Sequence, residues 1–196
     1  MSILLLEKLK RVAKHVWFRP RGANIGVNVM VRRPWLWFNR HKIRIGSDVS
    51  IGRESVFLPI VEYAGTYYDP SIIIHTGTYI GGYAQIHAMD RIEIGPECVL
   101  SEHVYISDMA HGMAVNPTPI MQQPLESKGP VILGKRVFVG FRASILPGVT
   151  LGDFCIVGSN AVVTQSFPAG AIVGGIPARL IKFRPGFGDE KSGTPC

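Results

Sequence analysis

The chain has 196 residues, enough for one domain, with 46% hydrophobic residues and 21 Lys and Arg against 14 Asp and Glu, a net charge of +7. The basic excess favours an anionic partner, but the cations are dispersed or terminal and form no nucleic-acid module, so nucleic acid is excluded as the expected partner. Three cysteines make no disulfide framework, and no apolar run reaches the roughly 20 residues of a spanning helix.

Taken in chain order, residues 3 to 18 read as an amphipathic helix within an N-terminal segment 1–22. Leu5, Leu9, Val12 and Val16 form one stripe, and Lys8, Lys10, Arg11, Lys14 and His15 lie opposite. Two readings stay open: the helix caps the open end of a repeat stack, or it lies on an anionic membrane surface. The start lacks a secretory layout, because the basic residues follow the apolar Ile3 to Leu6. Residues 32 to 42 mix aromatics with cations and read as an irregular first coil, with Trp35 and Trp37 partly buried.

From Ile45 onward a branched aliphatic residue recurs at every sixth position, often followed by glycine. The series runs Ile45-Gly46, Ile51-Gly52, Phe57, then Ile74, Ile80-Gly81, Ile86 and Ile92; a two-residue slip resets it to Ile94-Gly95, Leu100 and Ile106. It resumes at Leu133-Gly134, Val139-Gly140, Ile145, Leu151-Gly152, Val157-Gly158 and Val163. The fifth place is also small or apolar, as at Val49, Ala84, Cys98, Val104, Ala143 and Ala161. Neither a helical period nor strict strand alternation gives this pattern. Six residues suit one short strand and one turn; three such units close a triangular coil, and stacked coils bury a column of aliphatics. The expected fold is therefore all-β, a parallel β-helix of hexapeptide repeats over residues 23–182. Glycine at the second place is expected to tolerate the corner's backbone angles and to admit neighbouring backbone. Cys98 and Cys155 take inward places as small core hydrophobes, which agrees with a cytosolic setting.

Two segments lack the beat and are expected to leave the stack as loops: 58–71, with Tyr67 and Tyr68 near its tip, and 107–130, which begins Ser107-Asp108-Met109-Ala110-His111-Gly112. Long loops on a regular scaffold commonly carry function. From Ala169 the chain closes the stack, and 183–196 reads as a tail.

Of six histidines, His15 and His41 fall in basic surface segments, His75 and His87 are expected at outward corners, and His103 lies in mid-unit. His111 stands where regular coil turns into loop, and neutral imidazole is the usual general base near pH 7. His87 stays a candidate on the substrate side because it lies one coil below that loop. No His-x4-His occurs, so the zinc site of a γ-type carbonic anhydrase is discounted and no metal is expected.

The runs VYISDMAHG and QQPL, with GPVILGKRVFVGFRASILPGVTLGDFCIVGSNAVVTQSFPAGAIVGGIPARLIK, resemble the hexapeptide acyltransferases. Within that family the chain is similar to the maltose and galactoside O-acetyltransferases and to those of bacterial surface-polysaccharide synthesis, over about Ile74 to Lys182. The resemblance implies left-handed winding and direct transfer from acetyl-CoA to a sugar hydroxyl, with His111 taking the hydroxyl proton. Many relatives read Asp-His-Asn-His-Gly at this loop, and here Met109 replaces the first histidine. By the same likeness Phe141 and Ser159 meet the pantetheine arm and Thr164 matches a family threonine. Gln165 replaces the usual lysine, with Arg142 as its candidate substitute, and Arg179 and Lys182 face the CoA phosphates. Asp90 is the nearest match to an acceptor-binding residue. The resemblance also implies a homotrimer whose sites lie between subunits, in the cytoplasm or peripheral to the inner membrane through residues 1–18. Alternatives are N-acetylation of a nucleotide-linked amino sugar and a non-catalytic saccharide-binding β-helix.

Overall fold

A computed structural model of the chain describes residues 24–32 and 35–188. The amphipathic segment 1–22 and residues 189–196 of the tail lie outside the described residues. Three parallel sheets form a triangular stack, consistent with a left-handed β-helix. On the first face, Ile45, Ile74, Ile94, Leu133 and Leu151 stand one above another; on the second, Ile51, Ile80, Leu100, Val139, Val157 and Val173 do so. Phe57, Ile86, Ile106, Ile145 and Val163 form the third column. These side chains are almost wholly removed from water and make one continuous core. Burying an aliphatic of this size contributes roughly 1.5–3 kcal/mol, so the columns are the main source of stability.

The beat starts earlier than the sequence reading placed it. Ile25, Val31 and Trp37 occupy the first coil in register with Ile45, Ile51 and Phe57. Trp37 is buried and stacks on Phe57 at 4.7 Å, while Leu36 and Phe38 face outward.

The glycines of the second place serve close approach at Gly46, Gly81 and Gly140, but not at Gly158, where a Cβ would meet nothing nearer than 3.4 Å. None of Gly46, Gly81, Gly140 or Gly158 has a positive φ, whereas a Cβ on Gly81 would sit 2.6 Å from the Glu102 backbone nitrogen. The left-handed conformation falls two places later, on Asp48, Glu54, Tyr83, Glu97, His103, Arg136, Arg142, Phe154 and Asn160. Those side chains tolerate the conformation at some cost because the corner leaves them no other path.

Among the described residues, the departures from strict repetition occur at one corner, between the third face and the first. The slip at Ile92–Ile94 lies there, as do both long insertions. Residues 58 and 59 still belong to the strand Ser55–Pro59, and the first insertion then forms an antiparallel hairpin of Glu62–Tyr63 with Thr66–Tyr67. Its tip is Ala64-Gly65, both with positive φ, so Tyr68 stands at the base of the hairpin and not near its tip. The second insertion folds back as Ala110–His111 against Leu125–Glu126, with the short 3-10 turn Ile120–Gln122 between. The stack ends in an antiparallel pair on the second face, Ala171–Gly175 with Ala178–Phe183. Among the described residues, no helix is long and apolar enough to cross a membrane.

Candidate functional site

The corner that takes the insertions also gathers most of the candidate residues. Ser107 ends the strand Tyr105–Ser107, and its hydroxyl accepts from the Met109 N–H at 3.2 Å, starting the turn out of the stack. Asp108 is wholly buried. Its Oδ1 accepts from the Met89 N–H at 2.8 Å and its Oδ2 from the Asp90 N–H at 3.0 Å. Asp108 thus clips the root of the long loop to the corner of the coil below. Burial pushes its carboxyl above the usual value of 3.8, and the backbone hydrogen bonds oppose that rise.

Beyond the clip the chain turns into the strand Ala110–His111, where His111 lies opposite Leu125 and its side chain is exposed. The Tyr63 ring from the first insertion stands 5.5 Å from the imidazole, tilted by 58°. The rest of the loop is held by buried Gln123: its Oε1 accepts from the Ala114 N–H, and its Nε2 donates to the Ala114 and Thr118 carbonyls. Met109 is half-buried at the root of the loop.

Next to the His111 strand lies a groove of about 280 Å³, lined by Ala110, Met113, Glu126, Ser127, Lys128, Leu146, Pro147 and Thr164. Its walls are mainly apolar, with the Lys128 ammonium, the Glu126 carboxylate and two hydroxyls to orient a bound molecule. Such a mixture suits a flexible, partly apolar ligand with a few polar groups.

His87 is half-buried, within the strand Gln85–Ala88 and in register with Ser107, so it faces outward from the sheet and not from a corner. Its Nε2 lies 3.2 Å from Gln85 Oε1, and burial holds the imidazole below its usual value. Asp90 is exposed at the corner that Asp108 clips. Asp90, His111, Thr164 and Gln165 lie just past the ends of third-face strands, along one edge of the stack, and His87 stands beside them on that face. His75 points elsewhere, from the first face, its Nε2 2.9 Å from Glu93 Oε1.

Phe141, Arg142 and Ser159 occupy the other edge of the third face. There the Arg142 guanidinium lies 5.0 Å from the Phe141 ring centroid, and the Asn160 N–H beside Ser159 donates to the Phe141 carbonyl. His103 continues this edge, stacked on Tyr83 at 4.6 Å. Arg179 and Lys182 are exposed on the closing strand of the second face, opposite Gly174 and Ile172. A single chain does not bring this second group to His111. The sequence reading assigned no role to Asp108, Tyr63, Gln123 or the groove residues Met113, Lys128 and Leu146. The described residues hold no group of three or more His, Cys, Asp or Glu placed to bind a metal.

Comparison with known proteins agrees with the repeat. Residues 130–165 match the family model described as hexapeptide repeat of succinyl-transferase. Over 118 residues the chain is 30% identical to a protein of Escherichia coli K12 named as a lipopolysaccharide biosynthesis O-acetyl transferase, covering 57% of this chain and 60% of that one. A protein of Mycobacterium tuberculosis named as an acetyltransferase is 38% identical over 142 residues, 72% of this chain and 37% of that one. The chain thus spans less than two thirds of either relative, 60% of the first and 37% of the second. The crystal structure of AntD, an N-acyltransferase from Bacillus cereus in complex with dTDP and 3-hydroxybutyryl-CoA, has the same fold, with a TM-score of 0.72 at 22% identity, covering 87% of this chain and 88% of that one.

Proposed function

The chain is a hexapeptide-repeat protein similar to acyltransferases in sequence and fold, and from that premise we propose that it is an acetyltransferase carrying the acetyl group of acetyl-CoA to a sugar hydroxyl in surface-polysaccharide synthesis. The observation that carries this reading is His111, carried on the antiparallel ladder beside the groove that Thr164 lines. In the reaction the acceptor hydroxyl gives its proton to the His111 imidazole as its oxygen attacks the thioester carbonyl. The C–S bond then breaks, and the CoA thiolate takes up the proton. Holding both reactants against one base supplies most of the advantage, because it replaces an encounter in solution.

Thr164 and Gln165 would meet the pantetheine arm on the His111 edge, with Phe141 and Ser159 on the opposite edge. Arg142, Arg179 and Lys182 would face the phosphates, and His87 and Asp90 would face the acceptor. The separation of the two edges supports a homotrimer, in which the Phe141–Ser159 edge of one subunit lies across the His111 edge of its neighbour. The outward side of the second face offers an apolar strip for such contact: Tyr79, Val99 and Phe138 stand in register and exposed. We place the reaction in the cytoplasm; residues 1–18 keep two readings, a cap on the stack or a contact to anionic inner-membrane lipid, and loss of vesicle partition on deleting them would favour the second.

Calorimetry with acetyl-CoA tests the core of the reading. Binding is expected, weakened by Arg179→Ala, and thiol release in the presence of acceptor sugars is expected to fall about 10²–10⁴-fold in His111→Ala. Absence of binding at millimolar acetyl-CoA would overturn the reading and leave a saccharide-binding β-helix. Turnover with nucleotide-linked amino sugars alone would replace the hydroxyl acceptor by an amine.

A further inference from the structure

We propose that the hairpin inserted after the second coil is a brace for His111, with Tyr63 and Tyr68 as positioning residues; this rests on the reading of His111 as the general base. Tyr63 reaches the short 3-10 turn of the long loop, and Tyr68 reaches the strand that follows it. Tyr63 donates its hydroxyl to the Met121 carbonyl at 2.9 Å, while its ring lies against the His111 imidazole. Tyr68 Oη accepts from the Leu125 N–H at 2.9 Å, and Leu125 is the residue paired across from His111.

The geometry of the ladder explains why Tyr68 is needed. In an antiparallel pair, alternate residues turn their N–H groups away from the partner strand. The Gly112 N–H goes to the Pro124 carbonyl, and the Leu125 N–H turns away from His111. Leu125 is buried, so without Tyr68 that N–H would be left in a poorly hydrated place. The two-stranded piece that carries His111 is very short, and such a piece has little stability of its own. Its position therefore depends on what packs against it. The tilted Tyr63 ring restricts the rotation of the imidazole, and a base held in one orientation is worth more than a mobile one.

The hairpin is suited to the task because its tip is compact. Tyr63 and Thr66 face each other across Ala64-Gly65, whose positive φ values give the tight turn that matches strand twist. Tyr67, in contrast, is exposed and makes no such tie, which makes it a control on the same hairpin.

The test uses the whole 196-residue chain without any sugar acceptor. The ring-proton NMR signals of His111, assigned by their loss in His111→Ala, are compared among wild type, Tyr63→Leu, Tyr63→Phe, Tyr68→Phe and Tyr67→Leu. Tyr63→Leu is expected to move these signals and Tyr63→Phe to keep them near the wild-type position, because the ring persists. Tyr68→Phe is expected to broaden them, and Tyr67→Leu to leave them unchanged. Thiol release from acetyl-CoA with water as acceptor is expected to fall on the order of tenfold in Tyr63→Leu, a part of the 10²–10⁴-fold that a general base supplies, with acetyl-CoA affinity unchanged. Unmoved His111 signals in Tyr63→Leu, or equal changes in Tyr67→Leu, would overturn the brace. Full turnover in His111→Ala would instead remove the base from the reaction, while the ring signals would still decide whether Tyr63 positions it.

Discussion

Asp108 does with one carboxylate what a turn motif does with several residues. Both oxygens are used on the N–H groups of Met89 and Asp90, so its loss affects two coils at once. Asp108→Asn keeps one acceptor and sets an amide N–H against a backbone donor, which is expected to cost about 1–3 kcal/mol in chemical denaturation. The acid–base linkage has a definite sign. Burial raises this carboxyl above 3.8, so the folded chain holds the proton more tightly than the unfolded one. The stability from that tighter hold is present at low pH and is lost as pH rises through the interval above 3.8. Denaturation curves across that interval should show the wild type losing stability relative to Asp108→Asn. The position was legible as the start of a loop, but the role was not. Ser-Asp reads equally well as solvated loop, and only the coil below reveals which N–H groups lie within reach.

Among the elements, the corner glycines separate two properties that the sequence merged. Missing side-chain volume matters at the second place and backbone freedom at the fourth, where aspartate, tyrosine, histidine and arginine sit with positive φ. Gly81→Ala tests the distinction, because its φ is ordinary and its Cβ would meet the backbone of the next coil at 2.6 Å. A loss of about 1–3 kcal/mol is expected in the denaturation midpoint, the cost of overpacking. The hairpin was illegible for a related reason. A two-residue turn is usually announced by Asn-Gly or Asp-Gly, and Ala64-Gly65 carries only half of that signal. The same holds for the first coil: Ile25-Gly26, Val31 and Trp37 keep the beat, but the aromatic and basic residues around them hide it.

At the scale of the whole molecule, the repeat made the stack legible. An aliphatic every sixth position has few alternatives to a three-sided coil, and the columns on all three faces follow it from Ile45 to Val163. The proposed site was less legible, because its two groups of residues lie on different edges of one chain and the proposed homotrimer is what would unite them. If Tyr79, Val99 and Phe138 form that contact, Phe138→Asp should shift the chain from trimer towards monomer in sedimentation velocity and weaken acetyl-CoA binding together with it. A burial-dependent apolar contact tolerates a carboxylate poorly.

The confinement of both insertions to one corner has an evolutionary consequence. Each insertion leaves the third face and re-enters on the first, so the length and chemistry of either can change without moving a single core column. Yet the two are tied to each other by Tyr63 and Tyr68. A lineage acquiring a new acceptor would therefore be expected to exchange residues 60–70 and 110–126 as a matched cassette, since a loop inherited alone would arrive without the strut that aims its histidine.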